Sequence, residues 1–498
     1  MANLKSLAKE TAIYGMSSII GRFLNYLLVP LYTNVLSAAS GGYGVITNIY
    51  AITAFLMVIL TYGMETGFFR FINKQEENPT RVYSTILISI GASSTLFLLL
   101  VLACLNPIAT LLGYANHPEY VGIMAAVVAL DAFQSIPFAW LRYQKRAMKF
   151  ATLKLLFIIM NIGLNLLYFV ALPAIYKSHP EWISSFYQPD VGVGYAFGIN
   201  LVCTASITVF FWPELTGFRY VFDRKLWRQI LSYSLPILLL GLAGILNQTA
   251  DKIIFPFVYK GSATEASTQL GIYGACSKIA MIMAMLIQAF RYAYEPFVFS
   301  QTNDRDNKNT YALGMKYFII FALMAFLAVM FYMDLLRYII APTYWEGLRV
   351  VPIVMTAEIF MGIYFNLSFW YKLTDQTHWG AWFSFAGCCI IVLLNILLVP
   401  TYGYMACAWA GVAGYGICMA LSYAVGQRKY PIRYDLRSIA CYATLAIVLY
   451  FSSTLVPQNW NIWSRLGINT LLMAVFISYT IKKDFPLKQL PVIGKYFR

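Results

Sequence analysis

The sequence predicts an all-α polytopic membrane protein of 14 transmembrane helices, built as two pseudo-symmetric six-helix lobes plus two extra C-terminal helices. Three observations carry this reading: the composition, the alternation of charge between apolar runs, and an internal repeat. Of 498 residues, 60% are hydrophobic and 11% are charged, against roughly 25% charged in a soluble domain. Such a chain has too little polar surface to cover itself in water. Ordinary amounts of glycine and proline, with no polar low-complexity tract, exclude a disordered or fibrous chain.

A spanning helix needs about 20 mostly apolar residues. Fourteen such runs follow one another, at 12–36, 45–69, 85–105, 121–141, 151–173, 193–213, 231–258, 269–292, 312–333, 350–371, 379–399, 404–426, 439–457 and 463–481. No connection is long enough to hold a soluble domain, so function is expected among the helices. The first run, with Ser37-Ala38-Ala39 after it, resembles a signal peptide. Its apolar stretch is too long for one and Arg22 stands in its middle, so it reads as a retained helix.

The net charge of +15 follows loop position. With the N terminus inside, 25 of the 36 Lys and Arg residues fall in inside segments, five outside (Lys177, Lys260, Arg337, Arg349 and Arg465) and six within spans. That asymmetry is the positive-inside pattern, and a miscounted helix would scramble it. The basic excess therefore signals orientation, with both termini cytoplasmic, and no nucleic-acid partner.

Laid on itself at an offset of 227 residues, the chain aligns Gly44 with Gly271, Arg81 with Lys308, Asp131 with Glu358, Lys145 with Lys372, and Pro173 with Pro400. Spans 1 to 6 then pair with spans 7 to 12. Six is even, so both copies share one orientation, as in transporters built from parallel repeats. The expected domains are an N-lobe over 1–218, a C-lobe over 219–427, and spans 13 and 14 with a cytoplasmic tail over 428–498. Two lobes around a cleft suit alternating access, whereas a channel would show a filter segment.

A charge near mid-bilayer costs at least about 2.5 kcal/mol, so each one needs a partner or a wet cavity. Arg22 stands near the centre of span 1, with Asn25 a turn away. Span 7 carries Asp251 and Lys252, and span 8 carries Lys278, Arg291 and Glu295. Glu65 lies in span 2, and Asp131 and Glu358 lie at equivalent positions of spans 4 and 10. The simplest expectation is mutual pairing: Glu65 with Arg70, Arg291 with Glu295, Asp251 with Lys252. The alternative is a ligand site. An arginine fork binds oxygen pairs and never deprotonates, which suits a diphosphate. Arg22, Asn25, Arg291, Lys278 and Lys252 are then the candidate substrate-binding residues, and Asp131, Glu358, Asp251 and Glu65 the candidates for ion coupling.

The eight cysteines lie in apolar runs with no CxxC, and the three histidines are far apart in loops. They offer no metal site, and no cofactor is expected. Gly41-Gly42-Tyr43-Gly44 lacks the Lys-Ser/Thr of a phosphate loop and reads as a turn.

Gly21-Arg22, Val29-Pro30-Leu31-Tyr32 and Tyr43-Gly44 resemble the first hairpin of bacterial polysaccharide flippases. Leu394-Asn395-Ile396-Leu397-Leu398-Val399-Pro400-Thr401-Tyr402-Gly403 is similar to that family's junction between spans 11 and 12, and the segment from Ala341 to Pro352 also fits. The family belongs to the multidrug/oligosaccharidyl-lipid/polysaccharide exporter superfamily. The resemblance implies a flippase of the bacterial inner membrane rather than an enzyme. Its substrate would be an undecaprenyl-diphosphate-linked oligosaccharide of O-antigen, capsule or lipopolysaccharide synthesis, moved through a cationic cleft. Membrane lipids, a proton or sodium gradient, and a polysaccharide polymerase or glycosyltransferases are the implied partners.

Two other classes compete. A multidrug or cation antiporter of the same superfamily should have a site dominated by carboxylates, yet the spans carry six basic against five acidic residues. A membrane glycosyltransferase or polymerase should carry its chemistry in a sizeable outer loop; the longest, 174–192, holds only Lys177, Glu181 and Asp190 as charged residues.

Overall fold

The computed structural model describes residues 26–73, 78–185, 187–300, 307–457 and 459–484, and among them there is no strand. Twelve helices among these residues are long and apolar enough to cross a membrane, and a further apolar helix, Gly194–Phe210, is shorter. Of the first predicted span only the end is described, as the helix Leu28–Val35 (α1). The chain is a multi-pass membrane protein.

In order, the next helices are Gly42–Thr61 (α2), Met64–Ile72 (α3), Pro79–Ala103 (α4), Pro118–Tyr143 (α5) and Ala147–Leu166 (α6). Leu172–Ser178 (α7), Gly194–Phe210 (α8), Arg224–Val258 (α9), Ala263–Ser300 (α10) and Asn307–Phe331 (α11) follow. The last are Val351–Leu367 (α12), His378–Tyr402 (α13), Tyr404–Lys429 (α14), Leu436–Thr454 (α15) and Ile462–Lys483 (α16). The chain divides into two compact units, Met1–Ala275 with Cys388–Ala410, and Cys276–Gly387 with Gly411–Arg498.

Within the first unit, local chemistry sets the helix ends. Asn78 caps α4 by accepting from Thr80 N at 3.0 Å, with proline following at the first helical position. Asp223 caps α9 by accepting from Lys225 N and Leu226 N. Such caps satisfy amides that the first turn leaves without partners. The predicted span 45–69 is broken: Tyr62 and Gly63 adopt left-handed φ of 32° and 71°, and α3 restarts beyond them. A Cβ on Gly63 would meet Ser234 O at 2.7 Å, so the break also brings α3 close to α9. The span predicted at 151–173 likewise changes winding, with a π-helical turn at Leu167–Ala171 between α6 and α7. The core of this unit includes Met64, Phe68, Tyr83, Ile86 and Ile136, all buried, with Tyr83 stacked on Trp140.

Within the second unit, α15 and α16 pack on α11 through Leu327, Phe331, Tyr442 and Phe476. Ion pairs fasten this packing at two levels. Lys316 Nζ lies 2.5 Å from Asp484 and 3.2 Å from Asp435. Beyond the C-terminal end of α11, Arg465 reaches Asp334 at 2.8 Å, and Asn469 donates to Phe331 O.

Candidate functional site: the intramembrane charges

Helices that cross a membrane gather their polar side chains where those can satisfy one another, because lipid offers no partners. Three such clusters stand out among the described residues, two in the first unit and one in the second.

The first lies among α1, α2, α5, α6 and α8. Asp131 is half-buried on α5, and the Lys154 ammonium acts on its carboxylate. Lys154 Nζ also stands 4.0 Å from the centre of the Phe138 ring, where a ring face attracts a cation. Around them, Asn200 donates to Tyr50 Oη at 2.9 Å and Tyr32 donates to Asn165 at 2.7 Å. Asn165 bonds back to Asn161 O one turn earlier, just before the π-helical turn. At the start of α3, Glu65 pairs with Arg142 of α5 rather than with Arg70. Arg70 instead lies over the Tyr233 ring.

The second cluster is centred on Asp251. Its carboxylate accepts from Lys252 Nζ at 2.9 Å and from Tyr273 Oη at 2.7 Å. Asn48 of α2 donates to Lys252 O, and Tyr114 donates to Asn48. Side chain and backbone of one turn of α9 are thus held by α2 and α10.

The third cluster, in the second unit, is Arg291, Glu295 and Lys372. Glu295 accepts from Arg291 Nε at 3.2 Å and from Lys372 Nζ at 2.7 Å, and the Arg291 guanidinium lies over the Phe365 ring at 4.6 Å. Beside them is a crevice of about 10 Å³ lined by Arg291, Gly362 and Asn366 among others. Asn366 Oδ1 is buried without a hydrogen bond, and a space of this size holds about one water. Two cations share one carboxylate here, so the cluster keeps a net positive charge.

Arg22 and Asn25 lie outside the described residues. Lys278 and Glu358 are half-buried, on α10 and α12. Lys278 and Arg291 are thirteen positions apart on one helix, about 20 Å along its axis. They therefore cannot grip one diphosphate together. Sequence reasoning misses Arg142 and Lys372 as members of these clusters, because their positions read as loop charges that set orientation. A signal is present: each cation follows its carboxylate by 77 residues, Glu65 to Arg142 and Glu295 to Lys372.

A dozen helices long and apolar enough to span, with charged and polar side chains gathered into clusters, define a polytopic membrane protein rather than a soluble or single-span one. Residues 7–302 match the family described as "Polysaccharide biosynthesis protein". The chain belongs to that family. Among solved structures it resembles "Lipid II flippase MurJ, inward closed conformation", with a TM-score of 0.71 at 14% identity over 94% of this chain and 98% of that one. It also resembles an inward-facing multidrug resistance MATE family transporter, with a TM-score of 0.62 at 14% identity over 81% and 93%. A third is the MATE multidrug transporter DinF-BH, with a TM-score of 0.58 at 16% identity over 84% and 95%. At these identities the likeness is one of fold. No curated protein sequence matches the chain. Those three structures are of one flippase and two multidrug transporters.

Proposed function

We propose that the chain is a flippase that carries an undecaprenyl-diphosphate-linked oligosaccharide across the bacterial inner membrane for cell-surface polysaccharide synthesis. The observation that carries the reading is the Arg291–Glu295–Lys372 cluster, in which two cations share one carboxylate. An excess of positive charge near the ends of two spanning helices attracts an anionic substrate. A diphosphate supplies that charge, and guanidinium geometry suits its oxygens. Arg22, Asn25, Lys278 and Lys252 complete the proposed substrate path.

In this reading the lobes 1–218 and 219–427 rock about a cleft, the polyprenyl tail stays in lipid, and both termini are cytoplasmic. Proton or sodium coupling falls to Asp131, Glu358, Asp251 or Glu65, and a polymerase or glycosyltransferases act on the flipped lipid. The test is flipping of a fluorescent polyprenyl-diphosphate sugar in proteoliposomes. Arg22→Gln and Arg291→Gln should each lose at least about tenfold in rate, the loss expected when a charge-assisted contact of about 1.4 kcal/mol or more is removed. Wild-type rates in both variants would overturn the anion-binding role. Export of cationic dyes with no flipping would favour the antiporter reading.

A further inference from the structure

We propose that α4 carries a built site for an anionic glycerophospholipid, separate from the charge clusters of the transport reading and independent of it. A groove of about 540 Å³ runs along this helix, lined by Gly91, Ala92, Leu96 and Leu99, with Phe133 of α5 and Tyr220 of the loop before α9. The small residues at 91 and 92 make the concavity, and Leu96 and Leu99 are each 59% exposed along it. On a helix this apolar, such surface meets hydrocarbon, and a concave strip in hydrocarbon is filled by a lipid chain. Its lining runs from Leu87 to Leu99, about 18 Å at the helical rise. That is a little more than half of a bilayer core of about 30 Å. The length fits an acyl chain within one leaflet and is short for a polyprenyl tail.

One end of the groove is built to receive a head group. The loop before α9 is zipped onto the first turns of α4: Val221 N donates to Ser84 Oγ at 2.7 Å, Asp223 N donates to Thr85 Oγ1 at 3.2 Å, and Asp223 pairs with Arg81. These bonds fix Tyr220 at the groove. Arg219 next to it, and Arg224, Lys225 and Arg228 just beyond, are exposed and make no ion pair among the described residues. Asp223, the one carboxylate in this run, is already used by Arg81 and by the cap of α9. Tyr220, which lines the groove, is thus flanked in sequence by exposed cations that no carboxylate among the described residues neutralises, and these are the groups an anionic head group beside an apolar slot of one-leaflet length would use. Basic residues near the surface attract anionic lipid in this way.

The test uses the full chain in phosphatidylcholine vesicles doped with phosphatidylglycerol that bears a photoactivatable acyl chain, with adducts mapped by peptide mass spectrometry. Adducts should concentrate on residues 87–99, Phe133 and Tyr220. Arg219→Gln and Arg224→Gln, both on the surface, should each lower them roughly fivefold. Gly91→Leu should remove them there while leaving adducts on other helices. Equal labelling by photoactivatable phosphatidylcholine would overturn the proposal, since no head group is then selected. So would stronger labelling by a photoactivatable polyprenyl phosphate at equal mole fraction, which would assign the groove to a polyprenyl chain. Neither outcome bears on flipping, which is measured separately.

Discussion

Gly44 and Gly271 meet backbone to backbone: a Cβ built on Gly271 would lie 2.9 Å from the Gly44 amide nitrogen. These are the two glycines that the 227-residue offset aligns, and each stands near the start of its helix, α2 or α10. One turn further along α10, a Cβ on Gly274 would strike Thr47 Oγ1. Small residues permit such approaches between membrane helices.

Gly44→Ala should therefore be among the most damaging single methyl additions in the chain. Its Cβ would overlap the Ser267 carbonyl oxygen, which is backbone and cannot rotate away. Separation of the helices should cost about 3 kcal/mol, the upper range for overpacking. Gly198→Ala is the control, because nothing lies within 4 Å of the added carbon. It should be neutral or stabilising by up to about 1 kcal/mol. Thermal unfolding of the two variants in detergent measures the contrast.

Glu295→Gln and Lys372→Gln should have opposite signatures. Removing the carboxylate leaves Arg291 and Lys372 without their shared partner, so stability should fall by about 1 to 2 kcal/mol, a value discounted for the partial exposure of the three side chains. Removing Lys372 leaves the Arg291–Glu295 pair intact at 3.2 Å. Stability should then change by less than about 1 kcal/mol, while the affinity for an anionic head group falls. Melting curves paired with binding of a soluble diphosphate sugar separate the two effects.

Asp223 supplies a pH dependence. Hydrogen bonds from Leu226 N and Lys225 N, with Arg81 beside it, hold its carboxyl below the ordinary value of 3.8. A depressed folded value means that the ionised cap stabilises the fold in full above the unfolded value. That contribution is lost as pH falls through the lower folded value. Amide exchange of Lys225 and Leu226 should thus stay protected down to about pH 4 and lose protection below it. In Asp223→Ala the protection should be weak at every pH, and in Asp223→Asn it should be independent of pH, since asparagine caps without ionising.

Much of this was legible in the sequence because lipid simplifies the code. Uninterrupted apolar runs locate helices whose backbones must pair internally, and the predicted limits fall within a few residues of helices such as Pro118–Tyr143 and Tyr404–Lys429. The breaks were not legible. Tyr62 carries a positive φ although it is not a glycine, and nothing in Leu167–Ala171 announces a π-turn. Pairing was legible only where it is local: Arg291 with Glu295 and Asp251 with Lys252 follow from helical spacing or adjacency, whereas Glu65 chose Arg142, 77 residues away, over Arg70 on its own helix. Trp370 stands at the end of the predicted span 350–371, yet it is only 2% exposed and donates to Ser422. Local spacing sees one helix, and these contacts belong to two.

The two helices without a repeat partner give the last prediction. α15 and α16 are tied to α11 through Lys316, which is 9% exposed and lies between Asp484 at 2.5 Å and Asp435 at 3.2 Å. Tyr442 also donates to Asp484 at 2.5 Å. Lys316→Met keeps the length of the side chain but leaves two carboxylates facing each other without a cation. The expected loss is about 3 kcal/mol, the lower range for breaking a buried pair. It should concentrate in α15 and α16, seen as faster proteolysis after residue 429 while the first unit keeps its protection. Adding Asp435→Asn and Asp484→Asn to Lys316→Met removes the stranded charges and should recover most of the loss. If the triple variant is as unstable as Lys316→Met alone, the ammonium acts through packing of its stem rather than through its charge.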